Sequence, residues 1–289
     1  MLSTIKEIIV DFQDLDLRTG NPRQLEITHM AGKASVCMGV RRAGKSTYLF
    51  QQMQDLLDQG VARENILYLN LFDDRLRGLK EHGLGVVLDA YFSLHPEVKS
   101  GSTLHCFFDE IQDVPGWEAC IARLLRTENC RVTLTGSSAR MLSKEIATQM
   151  RGRSLSWELF PYSFSEFLLA KGIESKSPIG SRGRHRLTKA FESYWEEGAF
   201  PEVEGLDPHL RIRIHQEYFN AMLFRDLVER HDISHPKAVK DLGIRLVNNL
   251  ASMHSINKLQ GYLKSLGHKA PKASVADYLE WFEDAYVFF

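Results

Sequence analysis

The run Gly39-Val40-Arg41-Arg42-Ala43-Gly44-Lys45-Ser46-Thr47 sets two glycines five apart, followed by a lysine and a hydroxyl residue. This G-x-x-x-x-G-K-[S/T] spacing is suited to holding a chain of phosphates. Gly39 and Gly44 let the backbone turn so that successive N–H groups face an anion. Lys45 is placed to reach the β- and γ-phosphates, and the Ser46 hydroxyl to take a Mg²⁺ position. The cofactors expected are therefore ATP and Mg²⁺, with residues 39–47 as the cradle. Four fixed positions would recur by chance in about one chain in a hundred of this length.

A second group of residues complements the loop. Asp109 and Glu110 end an apolar run from Leu104. Asp109 is expected to hold Mg²⁺, and Glu110 to orient and polarise an attacking water. Thr135-Gly136-Ser137-Ser138 ends the next run. Ser137 is the first choice for a hydroxyl facing the γ-phosphate or the water, with Ser138 in reserve; a helix N-cap is the plainer use of Ser138. Arg151 and Arg153 flank Gly152. Either could act as an arginine finger on a phosphoryl group, or be an ordinary basic helix end. Arg41 and Arg42 could touch phosphate or pair with Asp73 and Asp74.

Positioning these groups requires alternating strands and helices. Ala34–Met38 reads as a buried strand leading into the glycine loop, and Ser46–Gln54 as the helix after it. Further strands are expected at 25–28, 65–70, 104–110, 131–136 and 154–160. Helices are expected at 84–93, 117–126 and 139–150, and residues 5–12 read as a short helix or an extended arm. That alternation means a parallel α/β sheet. After Pro161 the pattern turns helical, at 164–171, 187–197, 209–231 and 237–253, with an exposed loop over 175–186.

Composition narrows the class. The chain has 289 residues, 44% hydrophobic and 25% charged, with 36 Lys+Arg against 37 Asp+Glu. That balance is globular and gives no global charge for nucleic acid or a membrane surface. Cys37, Cys106, Cys120 and Cys130 lack C-x-x-C spacing and read as reduced core thiols of a cytoplasmic protein. No apolar run reaches membrane-span length.

The motifs quoted above carry a resemblance. Together with Asn70–Leu76, Asp109–Glu118, Gly152-Arg153, Phe160–Phe167, Gly198–Glu202 and Arg225–Arg230, they resemble a prokaryotic ATPase family of the AAA+ superfamily. The resemblance implies an α/β fold: an AAA+-type P-loop NTPase core with a parallel sheet flanked by helices (1–160), a helical lid (161–235) and a winged-helix-like module (236–289). It also implies that members continue into a nuclease-like domain. Residues 286–289 then read as the module's first strand, so that the chain is expected to be a truncated product or a fragment. The activity expected is Mg²⁺-dependent ATP hydrolysis acting on an unknown substrate. The alternatives are a slow nucleotide-gated switch and a DNA-binding regulator with a vestigial ATPase. Residues 236–276 hold seven cationic residues and one acid, Asp241. Helices at 256–266 and 274–284 would form a helix-turn-helix, read as a DNA contact or a protein-interaction module. Arg151 and Arg153 would act across a subunit boundary, which requires self-association.

Overall fold

The computed structural model describes residues 1–136, 150, 152–174 and 180–288. They divide into two units, Met1–Glu204 and Gly205–Phe289.

The first unit is built on five strands: β1 (Ala34–Met38), β2 (Ile66–Asn70), β3 (Leu104–Asp109), β4 (Cys130–Gly136) and β5 (Ser154–Glu158). Their order is β2-β3-β4-β1-β5, and every pairing is parallel. All residues of β1 and β3 are buried, as expected for strands covered on both faces. Because the strands are parallel, the loop after Met38 and the ends of β3 and β4 share one edge of the sheet.

Helices cover this sheet. In α1 (Leu2–Gln13), Ile5, Ile8, Ile9 and Phe12 are buried at helical spacing, which settles the helix-or-arm alternative. α2 (Lys45–Asp58) follows the glycine loop, and Leu49 and Met53 pack with Phe12, Ile66 and Phe107. α3 (Gly85–Leu94) and α4 (Trp117–Thr127) bring Tyr91, Trp117 and Ile121 into the main core beside Val36, Phe108 and Leu134. Residues 161–204, including α5 (Phe164–Ala170) and α6 (Ser181–Glu197), belong to the same unit as the sheet.

Two expectations in this unit need correction. Residues 25–28 alternate like a strand but form none. Side chains satisfy the backbone here instead. Tyr48 Oη donates to Leu25 O at 2.7 Å, Arg23 N to Gln51 Oε1 at 3.1 Å, and Gln24 N to Glu166 Oε1 at 2.8 Å. Residues 181–186, read as loop, are the first turns of α6. Of the helix expected over 139–150, residues 139–149 lie outside the described residues, and Met150 is a bend.

The second unit is helical among its described residues. α7 (Pro208–Ala221) runs into a π-helical stretch, Met222–Glu229, where a continuous α-helix was expected. α8 (Pro236–Val247), α9 (Ile256–Ser265) and α10 (Lys272–Asp284) follow. Leu223, Leu227, Leu242, Leu263, Val275 and Phe282 form its core. The strand expected from Tyr286 is instead a helix stop. Tyr286 sits at φ 57°, Tyr286 N bonds Glu283 O at 3.0 Å, and Val287 N bonds Phe282 O at 2.9 Å. This is the paired reverse bonding that closes helix C-termini.

Candidate nucleotide site

The glycine loop has the backbone its residue types require. Gly39 adopts φ 151°, and a Cβ there would lie 2.0 Å from Leu159 O. No side chain fits between this loop and the end of β5. Gly44 caps α2 at φ 94°, a left-handed conformation that glycine adopts without strain. Arg42 and Glu110 are two of the five non-glycine residues at positive φ among those described, at 65° and 56°. Such strain gathers at functional sites.

Lys45 is buried, 5% exposed. Its Nζ donates to Gly39 O at 3.0 Å and Val40 O at 3.1 Å, so the ammonium lies folded over the loop that a phosphate would occupy. Burial pulls its pKa below the usual lysine range, opposed chiefly by the charge of Glu110.

Asp109 is 1% exposed. Its carboxylate accepts from Tyr68 Oη at 3.2 Å and from Thr135 Oγ1. Burial raises its pKa, and the nearby Ser46 and Thr135 hydroxyls act against that rise. Thr135 also accepts from Glu110 N at 3.0 Å. One β4 hydroxyl thus orients both acidic residues at the end of β3. Gln112 Nε2 holds Glu110 Oε2 at 2.5 Å. The sequence sets Thr135 at the end of the run after Asp109 but carries no sign that its hydroxyl meets that carboxylate.

The oxygen set suits Mg²⁺. Ser46 stands close enough to Asp109 to lower its pKa. Mg²⁺ is commonly held by one or two protein oxygens, with phosphates and water completing its shell. The described residues contain no cluster of three or more His, Cys, Asp or Glu able to hold a metal, so any Mg²⁺ here would depend on the nucleotide for much of its coordination.

Arg23 was also missed. Its side chain is 4% exposed and pairs with Glu166, Nε to Oε1 at 2.9 Å. Nη1 donates to Ala43 O in the glycine loop at 2.7 Å, and Nη2 to Phe160 O at 2.5 Å. Glu166 also closes a capping box with Ser163 at the start of α5. Two motifs of the resemblance, Phe160–Phe167 and Gly198–Glu202, therefore lie at the loop. Pro201 Cγ would be 3.8 Å from a Cβ on Gly44, and Glu202 Oε2 is 3.4 Å from Arg42 Nη1. Asp73 does not pair with the loop arginines but with Arg75, at 2.8 Å.

Ser137, Ser138 and Arg151 lie outside the described residues. Arg153 is exposed. Its carbonyl accepts from Ala34 N at 2.9 Å, which fixes it beside the start of β1. The glycine loop is at the other end of that strand, about 13 Å away at 3.3 Å per residue. β5 is an edge strand.

A five-stranded parallel sheet with a glycine loop after β1 and acids after β3 is a P-loop NTPase fold. Residues 31–168 match the AAA domain family model. That match makes residues 31–168 an AAA domain, of the nucleotide-binding ATPase type. An uncharacterized protein of Methanocaldococcus jannaschii is 35% identical over 268 residues, which are 92% of this chain and 58% of that protein. An uncharacterized protein of Haemophilus influenzae is 31% identical over 256 residues, 88% of this chain and 61% of the relative. The chain thus spans about three-fifths of each relative's length. Among solved structures, the Aeropyrum pernix ORC2 protein in ADPNP–ADP complexes is similar at TM-score 0.49 and 13% identity, over 99% of this chain and 85% of that one. AMPPCP-bound DnaA from Aquifex aeolicus is similar at TM-score 0.39 and 11% identity, over 99% and 88%. No helix among the described residues is long and apolar enough to cross a membrane.

Proposed function

We propose that this chain binds ATP with Mg²⁺ in the cradle of residues 39–47 and hydrolyses it. The carrying observation is the convergence of Lys45, Ser46, Asp109 and Glu110 at one sheet edge, with Thr135 bonded to Asp109 and to the Glu110 backbone. Lys45 leaves the loop carbonyls and neutralises phosphate charge. Ser46 and Asp109 would hold the metal, which would screen the phosphate charge that repels a nucleophile. Glu110, its backbone fixed by Thr135, accepts the proton of an attacking water. Glu110→Gln tests the division of labour. It should leave nucleotide affinity near wild type and lower turnover at least a hundredfold. Wild-type turnover in that variant removes Glu110 from the chemistry.

One observation favours a slow nucleotide-gated switch. Gln112 holds the Glu110 carboxylate, and turnover then waits on its release. Gln112→Ala should accelerate hydrolysis under this reading and leave it unchanged otherwise. For the second unit, the only acid in 236–276, Asp241, is paired with His268 at 2.6 Å, which favours phosphate contact by the surrounding lysines. Salt-dependent duplex binding tests that contact.

A further inference from the structure

We infer that Arg23 is a positioning residue for the phosphate cradle, linking it to residues 160–166; this rests on the nucleotide-binding reading above. The argument begins with one peptide group. Ala43 O and Gly44 N–H belong to the same trans peptide, so they point in opposite directions. Arg23 Nη1 takes Ala43 O at 2.7 Å. Holding that oxygen on the guanidinium turns the Gly44 N–H to the opposite side. There, among the described residues, it finds no acceptor. A phosphate oxygen is the acceptor this geometry invites.

The guanidinium is itself fixed. Glu166 takes Nε at 2.9 Å, Phe160 O takes Nη2 at 2.5 Å, and the Tyr162 ring lies under the guanidinium carbon at 5.2 Å. Glu166 is fixed in turn by Ser163 N at 2.8 Å and Gln24 N at 2.8 Å. A planar fork with several donors can serve these three acceptors at once. A lysine ammonium is a point charge on a flexible stem and cannot reproduce the set. All the anchors beyond the loop lie within residues 160–166, just after β5. A ligand that tightens the Gly44 peptide therefore tightens this segment, and by linkage the segment's position sets the ligand's affinity.

The test uses the full chain and a fluorescent ATP analogue. Arg23→Lys keeps the charge opposite Glu166 but loses the fork, and should weaken nucleotide binding at least tenfold. Glu166→Gln breaks the same ion pair yet leaves Nη1 on Ala43 O, and should weaken binding several-fold less, although both variants lose thermal stability. Equal binding losses in the two variants would reduce Arg23 to a structural residue and overturn the inference. So would wild-type affinity in a folded Arg23→Lys protein. Should Arg23→Lys fail to fold, hydrogen exchange on the wild-type chain replaces it. Added nucleotide should protect amides of residues 160–167, and unchanged exchange there overturns the link. Failure of the wild-type chain to bind any nucleotide would instead overturn the ATP reading, and this inference with it.

Discussion

The Ser46 side chain lies close enough to the Asp109 carboxylate to lower its pKa, joining the first turn of α2 to the end of β3. Residues 63 positions apart in sequence thus meet where a nucleotide's metal is expected. If both supply oxygens to Mg²⁺, Ser46→Ala and Asp109→Asn should share a signature. Wild-type affinity for ATP should be much higher with Mg²⁺ than with chelator present, and each variant should shrink that ratio about tenfold. A variant that binds ATP less tightly but keeps the wild-type ratio contradicts the metal role.

Arg153 stands beside the start of β1, at the opposite end of the strand from the glycine loop. Its side chain cannot span that distance, so any role at a phosphate lies at a neighbouring copy's site. Mixing Arg153→Ala chains with Lys45→Ala chains, each inactive alone, should restore ATPase activity at mixed interfaces. An arginine finger contributes roughly three to five orders of magnitude in rate. Full activity of Arg153→Ala by itself removes it from the mechanism, as does a co-assembled mixture that stays inactive.

His105 is buried in β3, and its pKa falls to about 4 through burial and then the charges of Arg131 and His29. The unfolded chain takes up this proton near pH 6.5, before the folded chain does. The contribution of His105 is therefore fully present above pH 6.5 and lost as pH falls toward 4, by about 3 kcal/mol. His29, also shifted down by burial and by Arg131, adds in the same direction. Urea unfolding at pH 7.5 and 4.5 should show a smaller loss for His105→Gln than for wild type. Identical pH dependence contradicts the assignment.

What was legible in the sequence was local. The glycine loop is contiguous, and its constraint is carried by residue types at fixed spacing. Asp109 and Glu110 were legible because an apolar strand ends at them. Thr135 and Arg23 act through partners 26 and 143 residues away, and no periodicity encodes such a pairing. Leu25-Glu26-Ile27-Thr28 has the alternation of a strand, yet alternation alone does not say whether a segment pairs into a sheet. The Met222–Glu229 stretch was indistinguishable from an α-helix for a related reason. Its burial of Met222, Leu223, Asp226 and Leu227 follows helical spacing, while the hydrogen-bond register that makes it a π-helix leaves no mark on the pattern.

The central claim is that residues 39–47 hold a nucleotide's phosphates. Calorimetric titration of ATP with Mg²⁺ into the wild-type chain and into Lys45→Ala tests it most directly. A charge-assisted contact to phosphate contributes roughly 1.5–3 kcal/mol. Saturable one-site binding by the wild type, weakened at least tenfold in Lys45→Ala, is the predicted result. Equal heats and equal affinities for a folded Lys45→Ala chain would contradict it.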